Sequence, residues 1–156
     1  MSDNPLASIM LTQELKERVA LLGIGNPLKG DDGVGPLLIS RLKDKTRAYL
    51  FDCGEVPENY IGPIIESKPQ TIIIVDASDW GARAGEVRLI KKEEIQNLSF
   101  STHGASLRLF LDYIEKQLPS THIVIIGIQI GRSGLAESLT PGVKACLLYT
   151  SDAADE

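Results

Sequence analysis

Asp31, Asp32, Asp76 and His103 are the side chains whose types and placement could do chemistry. Asp31 and Asp32 are adjacent in the run Gly23-Ile24-Gly25-Asn26-Pro27-Leu28-Lys29-Gly30-Asp31-Asp32-Gly33-Val34-Gly35. Asp76 closes the apolar stretch Ile72-Ile73-Ile74-Val75, and His103 stands in Ser101-Thr102-His103-Gly104. Two carboxylates and an imidazole make a partial ligand set for a divalent transition ion, with positions left for water or substrate. Simpler roles are open to each. Asp31 or Asp32 could cap the helix that follows, Asp76 could bond turn amides at a strand end, and His103 could be a loop residue ahead of a helix. The other histidine, His122, opens a strand and is expected at solvent or at an edge.

The glycine run has the layout of a phosphate site, with an apolar strand from Val19 before it and a helix from Pro36 after it. Its side chains contradict that use. Gly25 and Gly30 fit the phosphate-loop glycines, but Asp31 and Asp32 occupy the places of its Lys and Ser/Thr, and Leu28 occupies the third glycine of the dinucleotide pattern. Carboxylates repel phosphate and attract a cation or serve acid–base chemistry. Cys53, in Asp52-Cys53-Gly54-Glu55, lacks the context of a cysteine nucleophile and reads as a small buried residue. Ser78 and Ser101 lack a Gly-x-Ser-x-Gly elbow, and no His-Glu-x-x-His helix is present.

The elements that must position these residues alternate. Strands are expected at Arg18–Ile24, Ala48–Asp52, Thr71–Asp76, Glu86–Ile90 and His122–Gln129. Helices are expected at Val34–Lys43, Asn59–Glu66 and Ala105–Leu118, with a turn or short helix at Lys92–Leu98, a loop at Ser99–His103 and a final helix from Pro141. The non-alternating Ile72–Val75 run suits a strand buried on both faces. The stretch between Ala77 and Gly85 is too short for a crossover helix, so the strand at Glu86–Ile90 should be antiparallel. The expected fold is α/β: a three-layer α/β/α sandwich around a five-stranded, mostly parallel sheet with one antiparallel strand.

The chain has 156 residues and a net charge of −5, with 43% hydrophobic and 24% charged residues. These values suit one globular domain and give no basic footprint for nucleic acid. No apolar run reaches membrane-span length, and two cysteines make no disulfide framework, so a cytoplasmic protein is expected; it is taken as a monomer, although nothing in the sequence fixes its oligomeric state. Residues 1–17 read as an N-terminal extension and 18–145 as the domain. Residues 146–156 match a reading frame of a common sequencing-adapter oligonucleotide and read as a non-native tail, one that shortens the last helix and should leave apolar surface of the sheet open.

Taken together, these motifs resemble the hydrogenase maturation endopeptidases. The matches are Gly23-x-Gly25-Asn26 with Gly30-Asp31-Asp32-Gly33-x-Gly35, Asp52-Cys53-Gly54 with Pro57-Glu58-Asn59, Val75-Asp76-Ala77, Gly85-Glu86-Val87-Arg88, Thr102-His103, Gly127-Ile128-Gln129 and Leu139-Thr140-Pro141. They span Val19 to Ala145 and are closest to the branch serving formate-linked hydrogenases, in which the first ligand is Asp. The resemblance implies a five-stranded sheet whose fourth strand is antiparallel. It also implies a protease that trims the C-terminal extension of a nickel–iron hydrogenase large-subunit precursor once nickel is inserted. The family's ligands fall on Asp32, Asp76 and His103, with Asp31 as the adjacent supporting acid and Asp52 lining the same cleft. The nickel would be presented by the precursor. A non-catalytic nickel-binding or chaperone module using the same ligands is the alternative, and a nucleotide-binding domain is disfavoured by the missing Lys. Accordingly, ATP, GTP and NAD should bind no tighter than about 1 mM, roughly −4 kcal/mol; micromolar affinity in a calorimetric titration would overturn this reading of the glycine run.

Overall fold

A computed structural model describes residues 18–97, 99–100, 104–131 and 138–153. The apolar segment after Arg18 forms strand β1 (Val19–Ile24), buried at every position because the sheet is covered on both faces. A 3₁₀ turn (Gly30–Gly33) carries the two adjacent acids and runs directly into α1 (Val34–Leu42). Then come β2 (Tyr49–Gly54), a 3₁₀ turn (Pro57–Tyr60) leading into α2 (Ile61–Glu66), β3 (Thr71–Asp79) and β4 (Val87–Ile90). A 3₁₀ stretch (Lys92–Asn97), β5 (Ser99–Phe100), α3 (Gly104–Gln117), β6 (His122–Gln129) and α4 (Pro141–Ala153) complete the described chain.

The main sheet has the order β2-β1-β3-β6-β4. β1 is parallel to β2 and β3, β3 is parallel to β6, and β4 is antiparallel to β6. The five-stranded mixed sheet anticipated from the sequence is therefore present, with the strand after the short connection reversed. One expectation is corrected: the expected loop at Ser99–His103 includes β5, which pairs antiparallel with Ser78 and Asp79. The reason lies in β3, which runs on to Asp79 although β1 ends opposite Asp76. That leaves a free edge beyond Asp76 for Ser99 and Phe100 to occupy.

Two cores sandwich the sheet. One joins Val19, Leu21, Ile73, Val75, Ile126 and Ile128 of the strands to Val34, Leu38 and Leu42 of α1 and Val143 of α4. The other joins Leu22, Ile24, Ile72 and Ile74 to Ile64 of α2 and to Leu107, Leu111 and Ile114 of α3, the apolar face expected from their helical spacing. α4 continues through the segment read as a tail. Cys146 and Leu147 belong to the first core, Thr150 and Ser151 are buried, and Arg41 Nε donates to Ser151 Oγ at 3.0 Å. These residues cover sheet surface that a shortened helix was expected to leave open. Among the described residues no helix is long and apolar enough to cross a membrane.

α1 packs on β1 at backbone distance. A Cβ on Gly35 would lie 2.5 Å from Ile24 O and 2.8 Å from Val75 O, and one on Gly23 would lie 2.4 Å from Gly35 O. Backbone cannot swing aside as a flexible side chain can. Gly35→Ala should therefore cost roughly 1–3 kcal/mol or more. Gly62→Ala, with open space around its Cβ, should be neutral or gain about 0.4–1 kcal/mol. Urea unfolding of both variants checks the contrast; equal stabilities would show that the close approach is not a constraint.

Candidate functional site

Parallel strands put their carboxyl ends on one rim, where open α/β sheets bind ligands. Asp76 lies on that rim in the central strand β3, in register with Ile24 of β1 and Gly127 of β6, and is fully buried. Alternation places it on the same face as Ile72 and Ile74, the face covered by α3. Asp32 reaches the same rim from the turn after β1. Its backbone is pressed against β1's exit, so that a Cβ on Gly25 would fall 1.9 Å from Asp32 O. The structure thus brings Asp32 and Asp76 to neighbouring positions on the rim. His103, which precedes α3 in the chain, lies outside the described residues.

The two adjacent acids have different surroundings. Neither caps α1 or the turn before it through its side chain. Asp31 is fully buried, and its carboxylate accepts hydrogen bonds from Gly131 N (2.6 Å, Oδ2), Thr140 N (2.7 Å, Oδ1) and Thr140 Oγ1 (2.5 Å, Oδ2). Asp32 is half-buried, and among the described residues its carboxylate accepts one weak bond, from Asn26 N at 3.3 Å, an amide that also reaches Asp32 O at 3.2 Å. Burial pushes its carboxyl above the ordinary value and the Glu55 charge adds to this, while the Asn26 bond and Lys29 pull the other way. An acid held at the rim with a raised pKa, beside a second buried acid, suits cation capture or proton transfer.

Other side chains complete the rim. Asp52 is exposed and accepts from Gly54 N at 3.2 Å in its own turn. Cys53 is buried, and burial together with the Asp52 charge pushes its thiol up to about 12, which keeps it a thiol at neutral pH and suits a packed side chain rather than a nucleophile. Gln129 was missed as an organiser. Its buried side chain accepts from Trp80 N (2.9 Å) and Ala82 N (3.2 Å) and donates to Asp79 Oδ1 (2.9 Å), fixing the loop that leads into β4. Its place at the end of β6, opposite Ser78, was the available signal. Ser78 Oγ is buried with no hydrogen-bond partner among the described residues. A groove of about 610 Å³ between β4 and α4, lined by Trp80, Arg88 and Tyr149, contains neither rim acid.

Oxygen donors from Asp32 and Asp76 fit a divalent cation and would repel phosphate. Among the described residues no three His, Cys, Asp or Glu side chains group closely enough to hold a metal alone. The rim therefore offers an incomplete carboxylate shell.

Comparison with known proteins places this geometry. The model of the hydrogenase maturation protease family matches residues 34–148. A putative hydrogenase maturation protease of Methanocaldococcus jannaschii is 37% identical over 132 residues, covering 77% of this chain and 78% of that protein. The hydrogenase 3 maturation protease of Escherichia coli is 34% identical over 127 residues, covering 80% of each. The crystal structure of a nickel–iron hydrogenase maturation protease from Thermococcus kodakarensis superposes with a TM-score of 0.75 at 32% identity, over 90% of this chain and 95% of that one.

The raised pKa of Asp32 has a stability consequence. Between its ordinary value of 3.8 and its folded value, the folded protein holds the proton more tightly than the unfolded chain. Stability from this group is full below 3.8 and is lost as pH rises through the folded value. Asp32→Asn removes that loss, so thermal melts should show the variant at least as stable as wild type at pH 7, with the difference vanishing below pH 3.8. A variant markedly less stable at pH 7 would mean that the charge is satisfied in the fold.

Proposed function

The chain belongs to the hydrogenase maturation protease family, and from that premise we propose that it removes the C-terminal extension of a nickel–iron hydrogenase large-subunit precursor after nickel insertion. Membership makes it a peptidase of hydrogenase maturation; the proposal adds the bond, the timing and the residues. What supports it is the placement of Asp76 at the carboxyl end of β3, paired with Ile24 of the adjacent parallel β1, and of the Asp32 backbone against the exit of that same strand.

On this reading nickel is part of the substrate. The precursor presents the ion on its own cysteines, and Asp32, Asp76 and His103 complete its shell. Support for His103 is positional: it immediately precedes α3, and α3 covers the face on which Asp76 lies. Carboxylate-rich sites discriminate poorly among divalent ions and suit nickel less than nitrogen and sulfur donors do. The isolated protein should hold nickel weakly, and docking should require the loaded precursor. Bound this way, the scissile peptide lies beside the two carboxylates. Asp32 or Asp76 can take the proton of the attacking water and return it to the leaving amine. The protein works in the cytoplasm, as a monomer, on a folded protein partner.

The test compares nickel-loaded and nickel-free precursor with chelator-treated enzyme, read by the gel shift of the trimmed subunit. Cleavage of the loaded form alone is expected. Equal cleavage of both would sink the nickel-gated mechanism, and nickel-dependent binding without cleavage would favour a non-catalytic assembly module. Asp32→Asn, Asp76→Asn and His103→Ala should each abolish trimming while circular dichroism stays native. A folded variant that trims at the wild-type rate removes that residue from the site.

A further inference from the structure

Asp31 and Asp32 share one four-residue 3₁₀ turn. In this geometry successive side chains diverge by about 120°. Whatever fixes Asp31 therefore also fixes the direction of Asp32. The turn has no side-chain cap. Its local backbone ties are Asp32 N to Lys29 O (3.1 Å) and Asn26 N to Asp32 O (3.2 Å), both within the same loop. Asp31 ties it by hydrogen bonds to distant chain. Its partners, Gly131 just past β6 and Thr140 just before α4, come from the far end of the sequence. They also crowd each other: a Cβ on Gly131 would lie 2.7 Å from Thr140 Oγ1.

We infer that Asp31, clasped by Gly131 and Thr140, is a positioning residue that aims Asp32 at the rim. This rests on the reading of Asp32 as a site residue. The clasp requires a carboxylate. Gly131 N–H and Thr140 N–H donate to different oxygens, Oδ2 and Oδ1. An asparagine has one acceptor oxygen, so either orientation would set its NH₂ against a buried amide donor. The Leu139-Thr140-Pro141 motif thereby acquires a purpose: it carries the hydroxyl and the amide that grip the first loop.

The experiment uses the full chain with Asp31→Asn, Thr140→Val and Thr140→Ser, assayed on nickel-loaded precursor well below each melting point. Asp31→Asn should lower kcat/KM by on the order of 10²-fold, the scale of a misplaced reacting group. Thr140→Val, which keeps the amide donor, should lose less, and Thr140→Ser, which keeps the hydroxyl, should match wild type. The Asn26 amide shift in a nitrogen–proton correlation spectrum, which reports the position of Asp32 through hydrogen bonds to its carboxylate and its backbone oxygen, should move in Asp31→Asn and stay in Thr140→Ser. A folded Asp31→Asn with wild-type kcat/KM and an unmoved Asn26 signal overturns the inference. If Asp31→Asn fails to fold, Thr140→Val decides in the same way by the same two readouts. If instead Asp32→Asn trims normally, the site reading fails, while the Asn26 signal still judges the clasp by itself.

Discussion

The rest of the structure depends on backbones meeting without side chains between them. Where β1 ends and α1 begins, glycines at 23, 25, 33 and 35 let the turn of Asp31 and Asp32 lie directly on the strand end. A Cβ at any of the four would come within 2.5 Å of neighbouring backbone. Gly25, with φ of +144°, also adopts a backbone shape closed to most residues. The turn is thereby pinned to the rim where Asp76 emerges from the central strand. A bulkier exit from β1 would lift the loop, and with it the acid, away from the sheet.

That close seating explains how adjacent acids take different jobs. Pressed onto the sheet, the turn has an inner and an outer side. Asp31 on the inner side has its charge spread over three donors, which offset the cost of burying it. The Asp32 carboxylate on the outer side has, among the described residues, one weak bond, and burial raises its pKa, so its proton is held more tightly than usual. One acid is settled and structural, and the other is left available. Functional sites commonly retain such unsatisfied charge, and the glycine seat and the Asp31 hydrogen bonds supply the rigidity to hold it there.

The sequence made legible whatever depends on local pattern. The unbroken apolar run at Ile72–Val75 marked the buried central strand, the short link after Ala77 implied a reversed β4, and Leu107, Leu111 and Ile114 marked the buried face of α3. The rim position of Asp32 and Asp76 followed from strand ends. What escaped was set by distant contacts. Beside a helix start, Asp31 looks like a cap; its actual partners lie about a hundred positions away, and no local signal announces them. β5 escaped because it exists only where β3 outruns β1, a matter of relative strand length. The organising role of Gln129 escaped because its acceptor oxygen takes two backbone amides, which any sequence supplies, and its remaining side-chain partner, Asp79, lies fifty positions away. The packing of Cys146 and Leu147 escaped because the origin of a segment says nothing about whether its apolar residues find a core.

The same scaffold clarifies why the glycine run so nearly imitates a phosphate site. A strand, a tight glycine turn and a helix start form a general way to bring backbone close to a ligand at a sheet rim. The geometry alone does not choose the ligand's charge. In a phosphate loop, amide donors and a lysine make the turn attractive to anions. Here the corresponding positions carry Asp31 and Asp32, and the amides of Gly131 and Thr140 are engaged by Asp31. An anion at this turn would meet a buried negative charge and a second one at the rim. A cation would meet attraction from both. With two carboxylates where a phosphate loop carries Lys and Ser/Thr, the same kind of turn favours cations over anions.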